Sequence, residues 1–139
     1  GKVGIPNITI TATDAGGASG TSVFALTVLG VDIFIRDTAG ADLPTYNFTP
    51  VPTPNGTTGS IRVYNTGTQA SSAVTLTYGG TNASNFSTQT TDCGAPIAAG
   101  SFCTVTLVFN TTGSPGAKTA TVTATVTGTS DIANLTGTK

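Results

Sequence analysis

The run KTATVTATV at residues 118–126 sets threonine at every second position, with small or branched apolar residues between. Strand side chains alternate between faces with a period of two, so Ala120, Val122, Ala124 and Val126 share one face and the threonines from 119 to 127 share the other. A helix of 3.6 residues per turn would scatter the same apolar residues around its circumference. CTVTLVF repeats the pattern, with Cys103, Val105, Leu107 and Phe109 on one side, and NITITAT sets Ile8, Ile10 and Ala12 against Thr9, Thr11 and Thr13. In all, 31 threonines and 10 serines occupy the 139 positions. Threonine is β-branched and suits a pleated, half-exposed surface. With 18 glycines and 7 prolines as turn formers, the chain reads as all-β: short strands joined by turns, with no helix required.

Residues 1–30 read as a β-hairpin, one strand in IPNITITATD and one in TSVFALTVL around the turn AGGASG. Two strands alone are marginal in water, so this hairpin must pack on something. From residue 31 onward six or seven strands follow with turn signals at sandwich-like intervals: VDIFIRD, SIRVYN, SAVTLTY, CTVTLVF, KTATVTATV and DIANLTG. Residues 38–59 hold four of the seven prolines and read as loop or irregular edge. The polar stretch 79–92 carries no strand signal of its own. Two units are therefore expected, a hairpin over 1–30 and a sandwich over 31–139.

Only 8% of residues are charged, and the net charge is −1, against about 25% charged in an average globular chain. Nucleic acid and anionic membrane surfaces both need clustered Lys and Arg, so neither is an expected partner. No apolar run approaches a membrane span, and the chain, which does not begin with Met, reads as a mature or excised piece of something longer.

From residue 31 to 138 the motifs form a recognisable set: NTGT at 65–68, a run AGSFCTVTLVF at 99–109 and LTGT at 135–138. Together they resemble the Hydin-type immunoglobulin-like domains, also called choice-of-anchor D, of bacterial surface proteins; Asn110 stands where that pattern usually has Pro. ITITATDAGGASGTSVFALTV resembles the last two strands of a cadherin-like repeat. The resemblance implies an immunoglobulin-like β-sandwich with an N-terminal hairpin extension, in an extracellular tandem module rather than an enzyme.

Cys93 and Cys103 flank a Gly/Ala/Pro/Ser loop. A metal centre needs about four ligands, and with no His only Asp could complete one. A redox pair would be a Cys-x-x-Cys motif beside a βαβ unit, and neither is present. A disulfide between loop and strand satisfies the residues, agrees with the resemblance, and places the chain in an oxidising compartment. With no His and no Glu, general bases reduce to Asp and Lys, so no enzyme, catalytic residue, cofactor or metal is expected. Asp14, Asp32, Asp37 and Asp42 match no calcium loop and read as turn residues.

Seven of the eight asparagines begin an Asn-x-Ser/Thr sequon: Asn7, Asn47, Asn55, Asn82, Asn85, Asn110 and Asn134. The hydroxyl frequency alone predicts roughly two. Glycans there would supply the solubility that so few charges do not. The Thr-x-Thr rows could suggest ice binding, but sandwich sheets twist and spoil a flat lattice match.

The chain is expected to be a non-catalytic structural module of the cell surface. It would assemble into a surface filament or tandem-domain fibre through the hairpin, by β-strand addition, with copies of itself or with neighbouring domains of the same chain. The rival expectation is an adhesin-type domain binding carbohydrate or a host surface, for which Tyr46 and Phe48 in the Pro-rich loop are the leading residues, followed by Tyr64 and Tyr78.

Overall fold

A computed structural model describes residues 7–25, 29–48, 56–111 and 113–139. Among the described residues there are ten strands: β1 (Asn7–Thr13), β2 (Ser19–Ala25), β3 (Ile33–Arg36), β4 (Thr45–Phe48), β5 (Thr57–Asn65), β6 (Thr75–Gly79), β7 (Phe86–Thr91), β8 (Phe102–Phe109), β9 (Ala117–Val126) and β10 (Thr129–Thr138). The only helical piece among the described residues is a three-residue 3-10 turn, Ala83–Asn85.

Among the described residues β1 and β2 pair only with each other. The other eight strands form two four-stranded sheets, in the orders β3-β5-β8-β7 and β4-β10-β9-β6. β3 and β4, consecutive in the chain, lie on different sheets, and β4 runs parallel to β10 with Tyr46 opposite Leu135. This is an all-β, immunoglobulin-like sandwich preceded by a hairpin.

Alternation places the core where the sequence pattern expects it. Ile61, Val63, Val105 and Leu107 of one sheet meet Val122, Ala124, Ala133 and Leu135 of the other, all essentially inaccessible. Each fully buried branched side chain stabilises by about 1.5–3 kcal/mol relative to exposure. The alanines keep β9 and β10 close while larger residues of the facing sheet fill the space. At one end of the sandwich Phe48, Phe86 and Phe109 form an aromatic cluster with centroid separations of 5.1–5.7 Å.

One strand arises in the stretch read as loop or irregular edge, and another in the polar stretch that showed none. β4 lies within the Pro-rich stretch: Pro44 precedes it, and an edge strand tolerates proline at its ends. β7 has one buried apolar residue, Phe86, and a register shift between Thr88 and Thr90. A bulge on an edge strand blunts it against unwanted pairing.

The two Asp-led turns share one design. Asp14 Oδ1 accepts the N–H groups of Gly16 and Ala18 at 2.8 and 2.9 Å, and Asp37 Oδ1 accepts those of Ala39 and Ala41 at the same distances. A glycine with φ near +90°, Gly17 or Gly40, closes each turn.

Candidate functional site

Cys93 and Cys103 are bonded to each other, both buried, joining the loop after β7 to the start of β8. Around them Asp92 Oδ1 accepts the Thr104 N–H at 2.6 Å, and Cys93 O accepts that of Val74 at 3.0 Å. In the chain-entropy account, closing a loop of this size stabilises by about 3 kcal/mol. Reduction, or the double substitution Cys93→Ala/Cys103→Ala, is expected to lower the unfolding free energy by about that amount, read from denaturant midpoints.

The same end of the sandwich is organised by Asn65, which is 0% exposed. Its Nδ2 donates to Gln69 O (2.7 Å) and Ile97 O (2.9 Å), and its Oδ1 accepts the Gly67 N–H (3.0 Å). The turn it fixes grips the linker from the hairpin: Thr68 and Gln69 donate to Gly30 O, and Thr66 donates to Asp32 O. Gly67 packs so tightly on this linker that any Cβ there would collide with Gly30 O.

The sequons fall in unequal environments. Asn47 and Asn134 are exposed on the outer face of the β4–β10 pair, with Asn134 Nδ2 donating to Pro44 O. Asn82 is half-buried and accepts the Thr119 N–H, and Asn110 is half-buried beside Ser87. Asn85 is buried, and its Nδ2 donates to Asn110 O, so a sugar there would have to displace the 3-10 turn. Asn55 lies outside the described residues, and only the backbone of Asn7 is described, paired with Ala25.

The aromatic expectation needs correction. Phe48 is 2% exposed and belongs to the core, because pairing with β10 turns it inward onto Phe86 and Phe109. Tyr46 is half-buried, edge-on to Phe48 at 4.9 Å, and its ring covers Gly59. Phe48 is therefore not open to a ligand. Tyr78 links the two sheets through a 2.6 Å hydrogen bond to Thr88 Oγ1; burial pushes its hydroxyl pKa up, partly opposed by that bond.

The outer face of the β3-β5-β8-β7 sheet carries a constellation the sequence analysis did not assemble. Cross-strand register aligns Phe34, Tyr64 and Phe102 in one row and Arg36, Arg62 and Thr104 in the next. The Tyr64 and Phe102 rings lie 4.8 Å apart. The Arg62 guanidinium sits 4.2 Å from the centre of Phe102, and that of Arg36 sits 5.3 Å from Tyr64 and 5.7 Å from Phe34. Arg36 Nε pairs with Asp42 Oδ1 at 3.1 Å. Arg62 Nη1 donates to Thr38 O at 2.7 Å, with Tyr64 Oη at 3.5 Å. Beyond Thr104 a shallow groove of about 310 Å³ is lined by Thr90, Thr91, Asp92, Thr104 and Thr106. The signal was available in parity: Ile33, Ile35, Ile61, Val63, Cys103 and Val105 point inward, which forces the residues between and beside them outward.

No protein-family model matches the chain, and no curated protein matches it in sequence. Solved structures do match in fold. A protein of unknown function from Porphyromonas gingivalis W83 aligns over 99% of this chain and 67% of its own, at 9% identity and TM-score 0.59. Domains 4 and 5 of the S-layer protein SbsC align over 97% of this chain and 70% of theirs, at 12% identity and TM-score 0.52. The ASH/PapD-like domain 7 of human CEP192 aligns over 77% of this chain and 84% of its own, at 14% identity and TM-score 0.52. At these identities the likeness is one of architecture: an immunoglobulin-like, all-β domain.

Proposed function

We propose that this chain is a non-catalytic structural module of an extracellular surface, and that its N-terminal hairpin joins it to a second copy by β-strand addition. The hairpin carries the reading. Every residue from Ile8 to Ala25 is exposed, and among the described residues the two strands pair only with each other. One hairpin face presents Ile8 paired with Phe24 and, beside them, Ile10. A two-stranded ribbon with a bare apolar face and two free edges is marginal alone and gains stability when another sheet covers it. Used head to tail, such a contact does not close on itself and generates a filament. The buried disulfide supports an oxidising, extracellular setting. Within this reading, Asn47 and Asn134 are the exposed sequons among the described residues and the ones we assign to sugars.

The test is electron microscopy of the purified chain at neutral pH without denaturant. Ordered fibres with a one-subunit repeat, abolished by Ile10→Lys/Phe24→Lys, are expected. Dispersed particles at the same concentration would sink the filament and leave the hairpin as the end of a preceding repeat in the same chain.

A further inference from the structure

We propose that the outer face of the β3-β5-β8-β7 sheet binds a carboxylate-bearing sugar ring of an acidic glycan, with Arg62 taking the carboxylate and Tyr64 and Phe102 taking the ring. The first argument is charge. Arg36 and Arg62 are direct cross-strand partners, and like charges directly opposite each other destabilise a sheet. Asp42 neutralises Arg36. Among the described residues Arg62 meets neutral oxygens, those of Thr38 and Tyr64. The Asp92 carboxylate across the groove is engaged by the Thr104 N–H, and Asp37 caps its own turn. Among the described residues Arg62 is thus left without a carboxylate partner, and its Nε is buried with no hydrogen-bond partner. A ligand carboxylate would supply that partner, and a planar guanidinium already stacked on an aromatic ring is pre-organised to receive one.

The second argument is shape. The row Phe34–Tyr64–Phe102 offers ring surface partly open to solvent, with Phe102 44% exposed. Flat apolar surface flanked by polar groups suits the C–H face of a pyranose, whose hydroxyls then need partners at the rim. The threonine groove supplies them: it begins at Thr104, the direct neighbour of Arg62, and runs to Thr90 and Thr91. A nucleic acid would need more than two bases here. A bare anion would leave the aromatic row unused. The site lies on the sandwich and not on the hairpin, so a chain that does not polymerise can still bind.

The experiment is an amide-shift NMR titration of the full chain with 3′-sialyllactose and with a glucuronate-containing tetrasaccharide, which separate the two common sources of a sugar carboxylate. Lactose and citrate serve as the neutral-sugar and bare-carboxylate controls. Saturable shifts at Phe34, Arg62, Tyr64, Phe102 and Thr104, with Kd on the order of 1 mM for at least one acidic sugar, are expected. Arg62→Gln should weaken binding at least about tenfold, and Arg62→Lys should fall between, since it keeps the charge but loses the fork. If Arg62→Gln does not fold, Phe102→Ala reads the stacking half of the site. The proposal is overturned if neither acidic sugar binds up to about 10 mM, if lactose or citrate binds as well, if the shifts map elsewhere, or if the variants bind like the parent.

Discussion

Phe109→Ala is expected to lower the unfolding free energy by about 4 kcal/mol, seen as a lower denaturant midpoint with an unchanged slope. The side chain is 2% exposed, its ring touches Phe86 and Phe48, and β10 passes beneath it at Gly137. Removing the ring opens a cavity whose walls are two other rings and a glycine, and such walls collapse poorly. The neighbouring glycine makes the test sharper. A methyl group placed on Gly137 would lie 2.8 Å from two atoms of the Phe109 ring, so Gly137→Ala alone is destabilising by overpacking. In the Phe109→Ala background the same methyl enters vacated space, and the double variant should be more stable than the two single losses predict. Additive losses would mean that the ring does not lie over Gly137. Phe102→Ala, on the outer face of the same strand, is the control, expected to cost at most about 1 kcal/mol.

Alternation made β1, β8 and β9 readable, because each sets a buried apolar row or a bare one against a row rich in threonine. It failed where long-range pairing decides the structure. Phe48 looked available because prolines surround it, but its burial depends on β10, some ninety residues later, running parallel beside it. β7 has too few apolar residues to announce itself and exists because β8 offers a free edge. Parity marked Phe34, Arg62, Tyr64 and Phe102 as outward, yet their meeting depends on a register set between strands distant in the chain. The disulfide was legible because the residue inventory left so few alternatives. Asn65 was visible only as the start of a turn motif, since no local pattern tells a solvated Asn from one buried at the junction of three loops.

Asn65→Ala is therefore expected to be as damaging as a core deletion, about 4 kcal/mol, though it removes only a polar group. It leaves Gln69 O and Ile97 O without the donor they share and Gly67 N–H without its acceptor. An unsatisfied buried group costs about 1–3 kcal/mol, and relaxation of the loops recovers part of the total. Asn65→Asp should not rescue: a carboxylate can still accept from Gly67 but sets oxygen against two carbonyl oxygens. Burial raises the pKa of such a carboxyl. Relative to the parent, the Asp variant's deficit should therefore be smaller at acid pH, where the protonated form keeps one donor, and should grow as pH rises through that folded-state pKa. The location of the damage separates this substitution from Phe109→Ala. The turn that Asn65 holds is the turn that grips Gly30 and Asp32, so hydrogen exchange at residues 30–32 and 66–69 should quicken beyond what the global loss of stability explains. Phe109, at the opposite end of β8, should leave those amides exchanging only with global unfolding. If both variants speed the linker equally, Asn65 is not the clamp, and the junction between hairpin and sandwich is held by the hydrogen bonds to Gly30 and Asp32 alone.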